Sequence, residues 1–460
     1  MNTPQNIVLL GLGYVSVWAY KNLMHKIGRQ IKNGEVKVTV ISMSDYHAFH
    51  GFTGEFLAGM LPVSLRRTPQ EVMLKHAQFV HGKALFINQE KQTVSIQNFE
   101  TQQEEAIAYD HLVVGVGSVD NESVVPGIKT YGLGVKKENG IAQCRSRIIS
   151  AIEMASYTQD ERTRDALLSF AVVGGGFAGV EVCGNLCEYL RELSTVYPIL
   201  KKHQPKIYLI HSGEKPLPQL AEGGFNGLIK YCVKQLEEED VQILSQARLK
   251  KIKKTSFELD NGMTIPSHTV ISCIGQQVIT LDAEVPFETD AKGRMETTRH
   301  LNAQGYLNIW AGGDAARVMH VSGKKECRSD ALWAIKQGRR IGRNIARSVK
   351  GQRPLKFNFP GMGQTASLSK DKAILELYGL CFKGRLAWWI RLGFFLYYMP
   401  HSSQRIKAIR AFMQPRRLWE LEEVSHQDVK NTVGPHHDVD LQENLSPKGK
   451  STYPILSNPV

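Results

Sequence analysis

A glycine-rich turn follows a short apolar run at residues 170–181, FAVVGGGFAGVE. Its spacing is Gly174-x-Gly176-x-x-Gly179. This spacing lets a backbone turn sharply from a strand into a helix, approach a pyrophosphate closely and pack the helix tightly on the strand. Taken alone, the motif fits a bare strand-to-helix turn as well as a nucleotide site.

The same plan occurs near the start of the chain, at residues 6–23, NIVLLGLGYVSVWAYKNL. Here the turn reads Gly11-x-Gly13-x-x-Ser16, and Gly11 lies 163 residues before Gly174. Each unit also has a second strand-like run, VKVTVIS in the first and KIYLIHS in the second. A repeated unit is much harder to obtain by chance than one motif, so the sequence predicts two dinucleotide-binding units.

Short strand-like runs that end in small residues follow each unit. They are YDHLVVGVGS at residues 109–118, TVISCIGQQ at 269–277 and YLNIWAGGDAARV at 306–318. In the last of these, Asp314 comes just past a strand end, where a carboxylate can accept a hydrogen bond from a ribitol hydroxyl. An Asx turn or a helix cap explains this aspartate equally well.

The charge of the chain is concentrated in one segment. A length of 460 residues predicts two or three domains, and the net charge is +13. Residues 383–417 hold eight Lys or Arg and no Asp or Glu, so they carry +8 of that total. This local basicity favours a charged surface, and no nucleic-acid partner is predicted.

Cysteine usage and the first residues indicate a cytosolic setting. The seven cysteines are scattered without a disulfide framework, which favours reduced thiols. The first strand is reached by Ile7, which leaves no room for a signal peptide, and no run of about 20 apolar residues is present. The fifteen histidines show no HExxH or paired ligand spacing, so no metal site is predicted.

Several of these segments, in this order, resemble type II NADH dehydrogenases, the single-subunit NADH:quinone oxidoreductases. The segments are DYHAFHGFTGEFLAGM, YDHLVVGVGS, VVGGGFAGVE, IWAGGDAA and ALWAIKQGRRIGRNI, and the resemblance covers about residues 6–415. It implies the two-dinucleotide-domain flavoprotein superfamily, an α/β fold with two Rossmann-like dinucleotide-binding domains, for FAD and NAD(P)H, and a C-terminal amphipathic helical membrane-docking region. It implies electron transfer from NAD(P)H through FAD to a membrane quinone, without proton pumping.

The resemblance also divides the chain into parts. The expected parts are a FAD-binding domain formed by 1–140 and 291–354, an NAD(P)H-binding domain at 141–290, a membrane-associated region at 355–421 and a disordered tail at 422–460. The tail is expected to be disordered because it has few apolar anchors.

One set of implied FAD contacts serves the pyrophosphate and the adenosine. Gly11, Gly13 and Ser16 would hold the pyrophosphate at a helix N-terminus. The family usually offers an acidic residue to the adenosine ribose, whereas this chain has Ser42 at that position and Asp45 three residues on. A serine hydroxyl can still bind a ribose, so FAD binding is retained.

The remaining implied FAD contacts surround the flavin. Gly117 would line the flavin domain, and Asp314 would bind the ribitol. The helix that starts near Ala331 would direct its positive end at the isoalloxazine.

The implied NAD(P)H contacts lie in the second unit. Gly174, Gly176 and Gly179 would hold the pyrophosphate, and Gly275 would pass close to the nicotinamide nucleotide. Glu181 matches the acidic residue beside the nicotinamide and flavin rings, and it is the one candidate catalytic residue. An exposed acid in the first turn of a helix is the alternative for Glu181.

The choice between NADH and NADPH depends on His211, which stands where an acid would bind both ribose hydroxyls and repel a 2′-phosphate. When protonated, His211 could attract that phosphate together with Lys215, whereas Glu214 would oppose it. NADH is therefore the first choice of cofactor, and NADPH stays open.

The implied quinone site departs from the family pattern. Two glutamines expected near the quinone are replaced by Leu332 and Lys336, and Gln337 follows them. These three residues are the candidate quinone contacts, and other electron acceptors stay open.

Aromatic and basic residues of 383–417 predict docking on an anionic lipid surface, as a peripheral protein at the cytoplasmic face. The alternative is that the aromatic residues form core or a homodimer interface. The groups concerned are Trp388, Trp389, Phe394, Phe395, Tyr397 and Tyr398 with Arg385, Arg391, Arg405, Lys407 and Arg410.

Two other functions are compatible with the sequence. A sulfide:quinone reductase needs cysteines beside the flavin, and Cys144 and Cys327 are the candidates. A flavoprotein kept as a redox sensor or scaffold would explain the substitutions at Ser42, His211 and Leu332. Disulfide reductase activity is disfavoured, because the helix after Gly13 has no CxxC or CxxxxC pair.

Overall fold

The structure is a computed structural model that describes residues 4–414. It is organised around two sheets whose central strands are parallel, and one of the two glycine turns follows a central strand of each sheet. Strands and helices are numbered in chain order. The first sheet contains β1 (Gln5–Leu10), β2 (Val36–Ser42), β5 (Gln78–Asn88), β6 (Thr93–Asn98), β7 (Glu104–Ala108), β8 (His111–Val114), β19 (Asp282–Ala283) and β21 (Ile309–Ala311). Their order is β21-β8-β1-β2-β5-β6-β7, with β19 beside β5.

The second sheet and the smaller sheets complete the strands. The second sheet, in the order β10-β17-β11-β12-β13, is formed by β10 (Gly132–Gly134), β11 (Ser169–Val173), β12 (Lys206–Ile210), β13 (Val241–Leu244) and β17 (Thr269–Ser272). Three smaller sheets have two strands each: β3 (Tyr46–Ala48) with β4 (Arg67–Pro69), β9 (Ser118–Asp120) with β18 (Gln276–Val278), and β20 (Met295–Glu296) with β22 (Ala316–Arg317). Two others have three strands each. In one, β15 (Ser256–Leu259) lies between β14 (Leu249–Ile252) and β16 (Thr264–Pro266), and in the other, β24 (Lys372–Leu377) lies between β23 (Gly363–Ser369) and β25 (Leu380–Lys383).

Helices cover the sheets and extend the chain past them. They are α1 (Tyr14–Lys32), α2 (Thr53–Leu57), α3 (Gln70–Met73), α4 (Ile128–Tyr131), α5 (Gly140–Tyr157), α6 (Glu161–Leu167), α7 (Phe177–Leu193), α8 (Ile199–Lys202), α9 (Pro218–Glu222), α10 (Asn226–Glu237), α11 (Ala331–Val349), α12 (Gly384–Tyr398) and α13 (Ser402–Met413). Within residues 4–414, no helix combines the length and the apolar character needed to cross a bilayer.

Both glycine turns need glycine for local reasons. Gly11 has a φ of +82°, and a Cβ on it would lie 2.8 Å from the carbonyl oxygen of Gly115. In the second turn, a Cβ on Gly179 would overlap the carbonyl oxygen of Gly174, so this glycine lets α7 pack directly on the end of β11. Ser16 stands at the equivalent place in α1, and its buried hydroxyl donates to the carbonyl oxygen of Leu10 at 3.1 Å. Its hydroxyl therefore secures α1 on β1, and a pyrophosphate contact of Ser16 stays a prediction.

The domain boundaries differ from those expected from the sequence. Strand β10 was expected in the first domain, but it pairs with β17 of the second sheet, so the chain changes sheets before residue 132 rather than after 140. Strand β19 pairs with β5, so the chain has returned to the first sheet by residue 282 rather than 291. Each of the two connections between the sheets contains one short strand, and these strands, β9 and β18, pair with each other. Short connecting strands of this kind carry too few residues to show a pattern in the sequence.

The aromatic and basic pattern of the C-terminal region predicts helices throughout. The structure differs, because this region is only partly helical. It begins with the three-stranded sheet β23–β25, and α12 and α13 follow. Strand β23 packs against α7, where a Cβ on Gly184 would overlap the carbonyl oxygen of Leu368. The C-terminal region is thus part of the packed fold, and the expected disordered tail, 422–460, lies outside the described residues.

The contact between α1 and α11 gives a direct test of this packing. A Cβ on Gly342 would overlap the carbonyl oxygen of Ala19, and Gly338 makes the same kind of contact with Val15. We expect Gly342→Ala to lower the free energy of unfolding by about 1–3 kcal/mol, because the helices must move apart. Thermal unfolding measures the change as a lower Tm.

Gly28→Ala in α1 is the matched control. The heavy atom nearest to a Cβ on Gly28 is Met24 Cε at 3.6 Å, an ordinary contact, so its Tm is expected to stay the same or rise. A Gly342→Ala protein that melts like the wild type would contradict the close helix contact.

Candidate active site

A cavity of about 1600 Å³ lies where the N-termini of three helices meet. Gly13 before α1, Gly176 before α7 and Ala331 at the start of α11 all line it. A Cβ on Gly176 would meet no heavy atom within 4 Å, so the turn leaves space beside the N-terminus of α7. Unbonded backbone N–H groups and the helix dipole make such ends favourable for anionic groups. Three positive helix ends therefore face one space.

Another part of the cavity wall is apolar. Ile390, Phe394, Phe395 and Tyr398 of α12 contribute to it, together with Leu375 of β24. Ligand cavities of this kind pair an apolar wall with a few polar groups that fix orientation. The cavity can therefore take a flat apolar molecule against α12 and charged groups against the helix ends.

Glu181 lies on the cavity wall, in the second turn of α7. Its Oε1 accepts from the backbone N–H of Ser367 at 3.1 Å and from Arg391 Nη2 at 2.8 Å. Burial raises the pKa of Glu181 to about 7, although the Arg391 charge lowers it and the Glu55 charge raises it further. The alternative of an exposed first-turn acid is wrong, because the side chain is buried.

Arg391 is not a surface cation. Its side chain is 1 % exposed, and it bridges two carboxylates, Glu181 and Glu55. Its Nη2 also donates to the carbonyl oxygen of Gly51 at 3.0 Å, and its guanidinium carbon lies 4.5 Å from the ring centroid of Phe395. The expected attraction of Arg391 to lipid headgroups is therefore wrong, since the guanidinium is enclosed by protein. In a segment rich in arginine and aromatic residues, only the tertiary contacts distinguish a buried arginine from an exposed one.

Glu55 is a site residue that the sequence analysis missed. It lies in α2, is buried, and both of its oxygens accept from Arg391, Oε2 from Nη2 at 3.3 Å. One arginine between two carboxylates leaves a net charge of −1 when both are ionised and zero when one is protonated. The neutral state avoids the cost of an excess buried charge, which agrees with the raised pKa of Glu181. A signal was present in FTGEFLAGML, where one acid interrupts an apolar run.

Small residues bring Glu55 close to Glu181. A Cβ on Gly54 would overlap the side-chain amide of Asn185, which is fully buried. Asn185 Nδ2 donates to the carbonyl oxygen of Glu181 at 2.8 Å and to the hydroxyl of Ser367 at 3.0 Å. The amide therefore joins α7 to β23, and α2 packs against it at Gly54.

The structure places about half of the predicted site residues on the cavity wall. The predicted residues that line it are Gly13, Gly117, Gly176, Glu181, Gly275, Asp314, Ala331 and Leu332. The hydroxyl of Ser118 donates to Asp314 Oδ2 at 2.6 Å, and both residues line the cavity, so Asp314 has a polar partner there. Asp330 caps α11 by accepting from the backbone N–H of Trp333 at 3.1 Å, and burial raises the pKa of its carboxyl.

The other predicted residues lie outside this wall. Gly11, Gly174 and Gly179 shape the turns. Ser42 and Asp45 follow β2, where the Ser42 hydroxyl accepts from the backbone N–H of Ser44 at 3.2 Å and Asp45 is exposed.

His211 is held in the protein rather than poised as a cation. It is buried beside Gly175, and its Nε2 lies 3.1 Å from the hydroxyl of Ser245. Burial lowers the pKa of His211, and the backbone at Gly213 opposes this only in part. The lowered pKa favours the neutral imidazole and so weakens the expected attraction of a protonated His211 for a phosphate. Glu214 and Lys215 are both exposed.

Two of the three predicted quinone contacts have other roles. Leu332 lines the cavity. Gln337 is buried, and its Oε1 accepts from the backbone N–H of Gly313 at 2.7 Å, so it fixes the turn after β21. Lys336 Nζ lies 5.1 Å from the ring centroid of Phe359, outside the cavity wall. The helical period explains the difference, because successive residues of α11 face different neighbours.

Cysteines contribute little to the cavity. Cys144 and Cys327 are buried outside its wall. Cys273 lines it, but burial raises the pKa of this thiol well above its usual range. Among residues 4–414, no pair of cysteines faces the cavity together.

Two nucleotide-binding units that share one cavity define a two-dinucleotide oxidoreductase fold. Residues 5–338 match the pyridine nucleotide-disulphide oxidoreductase family, and the chain belongs to this family. A probable NADH dehydrogenase of Dictyostelium discoideum is 25% identical over 379 residues, which cover 81% of this chain and 80% of the relative. A type II NADH:quinone oxidoreductase of Staphylococcus aureus is 26% identical over 389 residues, covering 83% of this chain and 92% of the relative.

Solved structures share the fold. NDH2 from Plasmodium falciparum in complex with NADH superposes with a TM-score of 0.79 at 16% identity, covering 89% of this chain and 98% of the other. The sulfide:quinone oxidoreductase from Aquifex aeolicus superposes with a TM-score of 0.65 at 14% identity, covering 89% and 93%. These matches confirm the predicted α/β fold with two Rossmann-like domains.

The charge arrangement around Arg391 predicts that removing the charge of Glu55 shifts the titration of Glu181. We expect Glu55→Gln to lower the pH at which Glu181 titrates below about 7, because it removes a negative charge that disfavours the Glu181 carboxylate. Infrared difference spectroscopy measures this as the pH midpoint of the carboxyl band that Glu181→Gln abolishes.

Glu222→Gln, a change of the same kind at an exposed residue of α9, should leave the midpoint unchanged. A midpoint that rises or stays in place in Glu55→Gln would show that Glu55 does not act on Glu181.

Proposed function

We propose that this chain is a flavin-dependent oxidoreductase that passes two electrons from NADH to a membrane quinone. The observation that carries the proposal is the single cavity that joins both nucleotide-binding turns, Glu181 and an apolar wall. The similarity to a type II NADH:quinone oxidoreductase and to an NADH dehydrogenase supports the same reaction.

FAD fits the first unit of the cavity. Gly13 at the start of α1 would hold its pyrophosphate, and Asp314 with Ser118 would bind its ribitol. Gly117 has a φ of +75°, and a Cβ on it would meet no heavy atom within 4 Å, so backbone is open to the flavin there. The positive end of α11, at Ala331, would face the ring and favour negative charge on it. Bound flavin supplies the two-electron chemistry, and the chain supplies position and field.

NADH fits the second unit. Gly176 would hold its pyrophosphate against α7, and Gly275, with a φ of +74°, would pass beside the nicotinamide nucleotide. The rings of NADH and flavin would meet next to Glu181, where a hydride could pass directly from one to the other. Glu181 and Gly275 both line the cavity, which supports this placement.

Glu181 is the residue that handles a proton. A quinone that accepts two electrons must also take up two protons, whereas NADH gives up its electrons with only one. A carboxyl with a pKa of about 7 is half protonated at neutral pH, so the Glu181 carboxyl can release a proton and recover it from solvent. Arg391 keeps the carboxylate form accessible, and Glu55 keeps the protonated form accessible.

The quinone would lie against the apolar wall formed by α12. Leu332, Phe394 and Tyr398 offer apolar contact there, and Tyr397, the neighbour of Tyr398 in α12, is exposed. A quinone could therefore reach the cavity from the surface that carries α12 and α13.

That surface would dock on the membrane. Residues on α12 and α13 expose large apolar groups, namely Leu386, Trp389, Tyr397, Ile406, Ile409 and Met413. Trp388 and Tyr398, also predicted as lipid contacts, are instead buried, because they face Phe412 and Trp18. The cytoplasmic side of the membrane stays a prediction, and seven free cysteines are compatible with a reducing compartment.

Oxidation of sulfide, with its electrons passed to a quinone, is a less favoured function. Its chemistry needs cysteines beside the flavin, whereas Cys144 and Cys327 lie away from the cavity in the part of the chain described. The likeness to the Aquifex enzyme at 14% identity concerns the fold alone.

Anaerobic flavin reduction tests the proposed function. We expect the purified holoprotein to be bleached by NADH and then reoxidised by a short-chain quinone. A flavin that NADH cannot bleach would favour the sensor or scaffold alternative. A flavin bleached by NADH but not reoxidised by quinone would exclude quinone as the acceptor.

Loose discrimination between NADH and NADPH is a second prediction. A neutral His211 neither repels nor attracts a 2′-phosphate, so we expect the wild type to prefer NADH by less than about a hundredfold, roughly 2.7 kcal/mol. His211→Glu should increase that preference, because a carboxylate repels the phosphate. The measurement is the rate of flavin reduction by NADH and by NADPH in both proteins. A wild-type preference for NADH above about a hundredfold would refute the prediction of loose discrimination.

Membrane docking is tested on exposed residues only. Trp389 and Ile406 are 57% and 50% exposed, and we expect Trp389→Ser with Ile406→Ser to weaken flotation with neutral vesicles by at least tenfold. Burying an isoleucine side chain in an apolar phase contributes about 1.5–3 kcal/mol.

Val196→Ser with Met154→Ser, equally exposed residues of the second domain, is the matched control and should float like the wild type. If the Trp389 and Ile406 changes leave flotation intact but abolish a dimer in sedimentation, the surface is a homodimer interface instead.

A further inference from the structure

Four helices beside the cavity carry only one sign of charge. Within their bounds, α1, α11, α12 and α13 contain fourteen Lys and Arg and no Asp or Glu. Four of these cations gather where α1, α11 and the C-terminal end of α12 meet. We call them the four-cation cluster: Lys21, Lys336, Arg339 and Arg405.

Two aromatic rings form the base of the cluster. Trp18 of α1 and Tyr398 of α12 pack edge to face, with ring centroids 6.0 Å apart. The guanidinium carbon of Arg339 lies 4.3 Å from the Trp18 centroid and 5.7 Å from the Tyr398 centroid. Lys21 Nζ lies 4.6 Å from the Trp18 centroid, and Lys336 Nζ lies 5.9 Å from the Tyr398 centroid. The rings therefore hold three cations close together.

Backbone carbonyls at the end of α12 fix the other side of the cluster. Arg405 Nη2 donates to the carbonyl oxygen of Tyr397 at 3.1 Å, and Lys21 Nζ donates to that of Pro400. The cluster is thus a defined arrangement, built from three helices and one turn.

No carboxylate balances these charges in the described part of the chain. Residues 4–414 form no salt bridge with any of the four cations. Burial and the charges of Arg405 and Arg339 lower the pKa of Lys21 to about 8, and burial and Arg339 lower the pKa of Lys336. Burial and the charges of Lys21 and Lys75 also lower the pKa of His401. Like charges held together repel one another, and a bound anion would relieve the repulsion.

We propose that the four-cation cluster binds the phosphate headgroup of an anionic phospholipid. This proposal rests on the membrane docking proposed above and gives it a specific site. Grouped lysine and arginine donors suit phosphate oxygens, with arginine able to make two parallel bonds. Lipid is favoured over soluble phosphate because exposed apolar residues, Tyr397 and Ile406, adjoin the cluster and would enter the acyl layer.

The position of the cluster gives the site a consequence for the reaction. Tyr398 lies under two of the cations and also lines the cavity. A headgroup held above Tyr398 would place the apolar wall of the cavity next to the acyl chains, where a quinone is dissolved. The cluster therefore orients the cavity toward the bilayer.

Vesicle binding by the full-length holoprotein tests the proposal. The variant is Lys21→Gln/Arg339→Gln/Arg405→Gln, none of which lines the cavity. The matched control is Lys201→Gln/Lys202→Gln/Lys250→Gln, exposed residues of the second domain that remove the same charge. Each protein is sedimented with vesicles of phosphatidylglycerol in phosphatidylcholine, with vesicles of equal surface charge from oleate, and with phosphatidylcholine alone.

We expect the cluster variant to lose about a hundredfold in affinity for phosphatidylglycerol vesicles, about fivefold for each cation, and the control to lose only a few fold. The wild type should bind phosphatidylglycerol more tightly than oleate vesicles of equal charge. Equal losses in the two variants, or equal binding to the two kinds of anionic vesicle, would overturn the proposal, since overall charge would then suffice. Competition by inorganic phosphate in the buffer would overturn it in favour of a free phosphate site.

Two further readouts keep the result interpretable. NADH oxidation with a soluble acceptor should be unchanged in both variants, which shows that they are folded. If the triple variant fails this check, Arg339→Gln alone should still lose about fivefold in affinity, and a wild-type affinity would refute the proposal. If the wild type binds phosphatidylglycerol through the cluster but does not reduce quinone, the headgroup site is supported and only the proposed function is refuted.

Discussion

The bridge from Arg391 to two carboxylates is the interaction on which the site depends. Glu55 lies in α2, in the part of the chain that forms the first sheet. Glu181 lies in α7, the helix that follows the glycine turn of the second sheet, and Arg391 lies in α12 of the C-terminal region. A buried ion pair adds little net stability compared with apolar packing, but removing one partner costs about 3–5 kcal/mol, because the other charge stays buried. The bridge therefore acts mainly as a constraint: the three parts must meet in this one arrangement, and they meet beside the cavity.

Close backbone packing makes that arrangement possible. Gly54 lets α2 approach the Asn185 amide, and Gly184 lets α7 approach β23, so the two carboxylates come close enough for Arg391 to bridge them. The same geometry sets the charge balance. Burial raises the pKa of Glu181 to about 7, with Arg391 lowering it and Glu55 raising it further, and a carboxyl of this pKa suits the proton uptake of the proposed quinone reduction. The packing of α7 thus connects a structural contact to the chemistry at Glu181.

The sequence predicts the parts of the fold that repeat a local pattern. The two glycine turns, the strands before them and the helices after them are where the repeated motif places them, because turn geometry is a property of a few adjacent residues. Contacts between distant parts were not predictable in this way. Arg391 resembles its exposed neighbours in sequence, and its partners lie 336 and 210 residues away. Gln337 matched a family position but is used to hold the backbone of Gly313. The lone acid Glu55 in an apolar run was the one local sign of the buried cluster.

The proposed function requires NADH and flavin to meet in the cavity beside Glu181, with the quinone entering from the α12 side. A crystal structure of the holoprotein soaked with NADH tests it most directly. The account predicts the nicotinamide ring between Gly275 and the flavin, with the Glu181 carboxylate beside the ring and its bonds to Arg391 and Ser367 intact. A nicotinamide bound outside the cavity, or a Glu181 carboxylate turned away from both rings, would contradict it.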